Sequence, residues 1–405
     1  MERVAACLGL SETSWLIRTH SSQKGWKMRM KNVDNRTVIG GGMHGGRVTE
    51  YAEMWHHNPA QIVDFSANIN PNGPPVSVQQ AVAEAMGSVM HYPDARQWQV
   101  KQVLAAYHGC SPEQLVVGNG ATEVMELLWR WLMPKRTLIF TPAFGEYAAI
   151  PRRLRLQVQE IPIPAKLWQD PVAVLNAMGQ AKVLPGDLVV FNNPHNPTGT
   201  RFTRVQWQAT VARWLEKGAW VFMDEAFLDF LSLPEQNATS GVFWADNHRQ
   251  LAILRSATKV LSIPGLRFGY GITGEKWASQ VNQNRDGWSV NSLAQAAATA
   301  GFQDQKFFQN THQWLTEELA YVRQHWEGDP RLQLFPLNVN FFLTRMSTPD
   351  MATFVYDQLA RQGLFLRSCA SFTGLGTEYL RVAVRSRVDN QRLWALVSQL
   401  LNGLL

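Results

Sequence analysis

From about residue 76 onward, short apolar runs alternate with stretches of helical periodicity, and each apolar run stops at a polar or glycine-rich turn. "QLVVGNG" reads as a strand and a glycine turn. "ATEVMELLWRWL" then carries Val124, Leu127, Leu128 and Trp131 at helical spacing. "RTLIFTPAF", "DLVVFNNPHNPTG", "AWVFMDEAFLDF" and "LAILRS" repeat the scheme of a strand run followed by polar punctuation. Buried strands joined by helices imply an α/β fold around a mostly parallel sheet. In such sheets ligands bind beyond the carboxyl ends of the strands. The polar punctuation falls at those ends. From about residue 320, helix mixes with "NVNFFLTR" and "YLRVAVRS", which reads as a smaller α+β domain.

Charge matters only once it is located. The net charge is +6, but residues 1–42 hold seven Lys/Arg against three acids. The remaining chain carries about +2, so it has no strong basic field, and a nucleic-acid partner is not expected. Residues 1–42 are polar, basic and weakly patterned, and read as a mobile extension. Met43, directly before "HGG", is a candidate natural start. No apolar run is long enough to span a membrane, and no signal peptide is apparent. Three scattered cysteines point to a reducing, cytoplasmic setting without a disulfide framework. No Cys or His spacing matches a zinc site.

Four features fall on successive strand ends: Asn196 in "HNPTG", Asp224 in "MDEAF", Ser256 and Lys259 in "SATK", and Arg267 in "GLRFGY". Each alone has a bland reading as a turn, a cap or a solvated charge. In this order on one sheet they resemble the fold-type I pyridoxal-phosphate enzymes, the aminotransferase superfamily, over about residues 43–400. That resemblance implies a seven-stranded large domain over 76–319 and a small domain over 320–405, with the N-terminal segment 43–75 joining the small domain. It implies pyridoxal 5'-phosphate as cofactor. Lys259 would condense with the cofactor aldehyde, since an amine in a partly desolvated site has a lowered pKa. Asp224 would pair with the ring nitrogen, Asn196 would bond the ring oxygen, and Phe144 would stack on the ring. Gly120, Ala121 and Thr122, with Ser256 and Arg267, would hold the phosphate at a helix N-terminus. Tyr92, in "HYPD", would reach the phosphate of a neighbouring subunit, which implies a homodimer with shared sites.

"YPD", "NNPHNPTG" and "DEA" look like the histidinol-phosphate aminotransferases. Four departures resemble the threonine-phosphate decarboxylases instead: "HGG" with "DFSANINP", Phe227 in place of a tyrosine, "RSCASF", and "RVAVRS". The resemblance implies a small phosphorylated amino-acid substrate with two anionic ends. Arg381 matches the family's carboxylate clamp. Arg367, Arg385 and His44 are candidates for the substrate phosphate, and Asn70 for the pocket mouth. An aminotransferase acting on a phosphorylated substrate with 2-oxoglutarate is the alternative.

Overall fold

The computed structural model describes residues 44–245 and 248–403. The basic extension 1–42 and Met43 lie outside the described residues. The strands are β1 (Val63–Asp64), β2 (Leu115–Asn119), β3 (Arg136–Thr141), β4 (Val158–Pro162), β5 (Asp187–Asn192), β6 (Trp220–Asp224), β7 (Leu251–Ser256), β8 (Phe268–Thr273), β9 (Leu332–Leu334), β10 (Phe341–Met346), β11 (Leu364–Phe365), β12 (Arg367–Ser368) and β13 (Tyr379–Ala383).

Seven of these form one sheet in the order β2-β8-β7-β6-β5-β3-β4. β8 alone runs against its neighbours, pairing antiparallel with both β2 and β7. The central strands are buried along their whole length. Alternation divides them between two apolar layers. Val189, Phe191, Val221, Met223, Leu251 and Ile253 face one layer, while Leu188, Val190, Phe222, Ala252 and Leu254 face the other. Parity then assigns Asn192 and Asp224, paired across β5 and β6, to the side of Val190 and Phe222. That is the side covered by the helix Ala121–Leu132.

This helix lies close to β2 and β8 because glycines line its bed. A Cβ on Gly269 would sit 2.2 Å from the Ala121 nitrogen, and one on Gly118 would sit 2.7 Å from Val124 Cγ2. The alternating glycines of "FGYGI" therefore fix where the helix begins, beside the end of β7. The buried face of the helix is Val124, Met125, Leu128 and Trp129. Trp129, rather than the expected Trp131, goes to the centre, where its indole donates to Thr137 Oγ1 at 2.9 Å. That bond satisfies a polar group Trp131 could leave at the rim.

A four-stranded sheet, β12-β13-β10-β9, follows the 22-residue helix Gln305–Trp326. Its own core gathers Phe65 with residues from Val322 to Leu401. The N-terminal segment is bound to this part: β1 pairs in parallel with β11, Val63 against Leu364. Among the described residues, no helix is long and apolar enough to cross a membrane.

Candidate active site

A cavity of roughly 780 Å³ opens over the carboxyl ends of β5, β6 and β7, lined also by His44, Gly45, Ser66 and Asn68 of the N-terminal segment, Arg367 and Arg381. Lys259 sits on a single helical turn, Ala257–Val260, directly after β7, and its Nζ donates to Ser256 Oγ at 3.0 Å. Burial pulls its amine down to about 8; Asp224 opposes the shift, and Arg267 and Arg381 add to it. Asp224 ends β6. Its Oδ1 accepts from the Ala226 N–H at 2.8 Å, and its Oδ2 accepts from the Tyr147 phenol at 2.5 Å. Burial raises the Asp224 carboxyl pKa, while both donors and Lys259 pull it back.

Asn196 and Arg381 form one unit. Arg381 Nη1 donates to Asn196 Oδ1 at 2.7 Å, and Nη2 donates to the Ser66 carbonyl at 2.8 Å. Its buried Nε has no partner among the described residues. Burial draws this guanidinium down to about 10, which leaves it charged at neutral pH. Asn192 Oδ1 accepts from the Asn196 N–H, so the loop carrying Asn196 is tied to the end of β5.

The opposite wall is an anion cradle. The helix Ala121–Leu132 begins with Gly120 at φ 80° and has no side-chain cap. Ala121 and Thr122, in its uncapped first turn, line the cavity, and a helix start of this kind favours an anion. Gly120 is needed on two counts: a Cβ there would lie 2.3 Å from Arg267 Nη2, and its φ is left-handed. Its own N–H is donated to the Gly118 carbonyl, so Gly120 shapes the cradle without donating into it. Ser256 Oγ and Thr258 Oγ1 lie 2.8 Å apart on the same wall. Phe144 lines the cavity beside Asp224 and Lys259.

The residues fit pyridoxal 5'-phosphate on this chemistry. The helix start, the two hydroxyls and Arg267 are a phosphate donor set. Lys259 is an amine set apart from bulk water, Asp224 is a carboxylate for a protonated ring nitrogen, and Phe144 is an apolar face for the ring.

Two expectations are corrected. Arg385 does not line the cavity: its Nε donates to Asp389 at 3.1 Å, its Nη1 donates to the Asp64 carbonyl, and it packs over Phe65. Asn70 is buried beneath the site rather than at its mouth. It takes the Lys259 carbonyl through its N–H, the Val260 carbonyl and Thr311 through Nδ2, and the Ser262 hydroxyl through its own carbonyl. It braces the turn that presents Lys259.

Arg367 and His44 do line the cavity. Arg367 donates to Ser371 Oγ at 2.6 Å and lies over Phe372. Tyr92 is 80% exposed, stacks on Trp288 and stands outside this chain's cavity. Glu225, next to Asp224, serves the fold: with Asp229 it flanks the buried Arg255 at 2.9 and 2.6 Å. Tyr147, Glu146, Arg153 and Ser66 are functional candidates that sequence reasoning missed. The signal for Tyr147 was its position one helical turn past Phe144.

A model of the family "Aminotransferase class I and II" matches residues 60–400, and the chain belongs to that family. It is a pyridoxal-phosphate-dependent enzyme with the fold-type I α/β architecture. The threonine-phosphate decarboxylase of Salmonella typhimurium is 34% identical over 363 residues, covering 89% of this chain and 97% of that protein. Histidinol-phosphate aminotransferase 2 of Ralstonia nicotianae is 31% identical, covering 85% and 90%. The crystal structure of the histidinol-phosphate aminotransferase from Clostridium acetobutylicum superposes with a TM-score of 0.75 at 25% identity, over 84% of this chain and 99% of that one.

Proposed function

We propose that this enzyme decarboxylates L-threonine O-3-phosphate to (R)-1-aminopropan-2-yl phosphate and carbon dioxide, a reaction of cobalamin biosynthesis. The observation that carries the reading is the pair of buried arginines left over once the cofactor set is assigned. Arg381 and Arg367 are 7% and 3% exposed and both face the cavity. Two desolvated guanidiniums at separate points of one pocket call for a substrate with two anionic ends. The resemblance to the Salmonella decarboxylase supports the choice of reaction.

When bound, the cofactor supplies an electron sink for the pair left behind as a bond to the substrate Cα breaks. Arg381 would grip the substrate carboxylate, with Asn196 and Ser66 holding the guanidinium from behind. Phe144 would confine the ring, and Asp224, held by Tyr147 and the Ala226 N–H, would keep a negative charge opposite the ring nitrogen. Lys259 would deliver a proton to Cα after carbon dioxide leaves; a pKa near 8 lets it both hold and release that proton. Phe227 packs edge-on against Phe341 and offers no hydroxyl to the ring oxygen. Asn196 is then the assigned donor there.

The proposal includes a homodimer in a cytoplasmic setting. Tyr92 and its neighbours Val89, Met90 and Trp98 expose apolar surface that a second copy would cover, bringing Tyr92 to the partner's cradle. The test is carbon dioxide release from L-threonine phosphate by the cofactor-loaded protein, beside a reaction with histidinol phosphate and 2-oxoglutarate. Carbon dioxide without glutamate is the expected result. Glutamate without carbon dioxide would make the enzyme an aminotransferase.

A further inference from the structure

The helix Glu146–Arg153 begins just after Phe144 and ends in two adjacent arginines. They point to different places. Arg152 pairs with Glu160 on β4 at 3.1 Å, well away from the cavity. Arg153 turns back into the cavity lining, and its Nη1 lies 3.3 Å from Glu146 Oε2. The other oxygen of that carboxylate, Oε1, lies 3.1 Å from His44 Nε2. His44 in turn stands 5.2 Å from the Phe144 ring, centroid to centroid. One nearly buried carboxylate thus divides its two oxygens between two donors that both line the cavity.

The distances are informative. Charge-assisted N–H···O bonds settle at about 2.7–2.9 Å, and both of these are longer. Arg153 has five N–H donors and commits one of them to Glu146. Among the described residues, Arg153 therefore keeps donors to spare. A helix-end arginine that only complemented the helix dipole would point at the last carbonyls or into solvent, as a cation there usually does. Arg153 instead reaches back seven residues to the first residue of its own helix.

We propose that Arg153 and His44 form the phosphate-binding end of the substrate site, and that Glu146 is the internal anion the phosphate displaces. This rests on the reading of the substrate as a phosphorylated amino acid. A phosphate offers three acceptor oxygens and up to two charges, so it outcompetes a single carboxylate for the Arg153 guanidinium and the His44 ring N–H. Arg153 takes the place that the sequence had offered to Arg385 and joins Arg367 at the phosphate end, while Arg381 keeps the carboxylate.

The test uses the cofactor-loaded enzyme, carbon dioxide release from L-threonine phosphate, and two competitors: inorganic phosphate and unphosphorylated L-threonine. The cofactor's absorbance reports that it stays bound throughout. In Arg153→Ala, KM for L-threonine phosphate and the inhibition constant of inorganic phosphate should both rise about 10- to 100-fold, while inhibition by L-threonine stays as in the wild type. In Glu146→Gln, inorganic phosphate should inhibit about 3- to 10-fold more strongly, because the competing charge is gone. Unchanged phosphate inhibition in Arg153→Ala would overturn the proposal. Weaker phosphate inhibition in Glu146→Gln would overturn the displacement. A wild type that neither turns over L-threonine phosphate nor responds to inorganic phosphate would instead sink the underlying substrate reading, whatever the variants do.

Discussion

Replacing Lys259 by methionine should make the cofactor-free protein more stable at neutral pH. Lys259 is held in a cavity wall where burial outweighs the pull of Asp224, with Arg267 and Arg381 repelling it further, and its pKa falls from 10.5 to about 8. At about 1.36 kcal/mol per pKa unit, a shift of that size corresponds to roughly 3 kcal/mol. The amine keeps partial contact with water through the cavity, so about 1–2 kcal/mol is the share to expect. The sign follows from which state binds the proton. Below about pH 8 the amine is charged in both states, and the folded state carries the whole penalty. Between about 8 and 10.5 the native protein loses its proton first and the penalty fades. Above 10.5 the amine is neutral in both states and no penalty remains. Methionine, of similar length and uncharged, has none at any pH. Urea unfolding of both cofactor-stripped proteins, followed from pH 7 to pH 10.5, should show the variant ahead by about 1–2 kcal/mol at pH 7 and the gap closing at the alkaline end. Equal midpoints at pH 7, or a gap that persists unchanged at pH 10.5, would refute the reasoning.

Other outcomes follow from contacts already described. Tyr147→Phe removes the 2.5 Å bond to Asp224, which favours the ionised carboxylate; cofactor affinity should fall about 10-fold, and its acid limb in an absorbance titration should move to higher pH. Asn70→Ala strips two side-chain bonds to the Lys259 turn and to Thr311; unfolding should show a loss of about 1–3 kcal/mol, with a slower rate of cofactor capture. Gly45→Ala would place a Cβ 2.1 Å from the Ser66 carbonyl that steadies Arg381; KM should rise while a cofactor titration stays at the wild-type value. Arg381→Ala should retain cofactor and lose substrate affinity by about 100-fold, read from the absorbance change on adding substrate.

The large sheet and the residues gathered in the cavity at its strand ends were legible because the same residues do both jobs. A strand buried on both faces is written as an apolar run, and its chemistry has to appear where the run stops, as with Asp224 and Ser256. What sequence spacing misread were side chains whose direction depends on distant partners. Arg381 and Arg385 share a parity, and strand alternation alone would aim both at the pocket. β13 ends at Ala383, however, and Asn390 captures the Arg385 N–H, turning that side chain toward Asp389. Asn70 looked like a mouth residue because it is polar and near "INP"; the partners of its Nδ2 are 190 and 241 residues away in sequence. Glu146 and Tyr147 were passed over because acids and aromatics in the first turn of a helix usually need no further explanation.

β1 meets β11 across 301 positions of sequence, and the Ser66 carbonyl waits for Arg381, 315 positions later. At synthesis rates of about 5–20 residues per second, the first of these partners leaves the ribosome ~15–60 s after the other. The large sheet, whose neighbours are mostly close in sequence, has that interval to assemble. The strand that carries "VDFS" has nothing to pair with during it, and the substrate end of the pocket stays open. The order of the chain thus lets Asp224, Lys259 and Arg267 be in place on the large sheet before Arg367 and Arg381, the far wall of the same cavity, have been made.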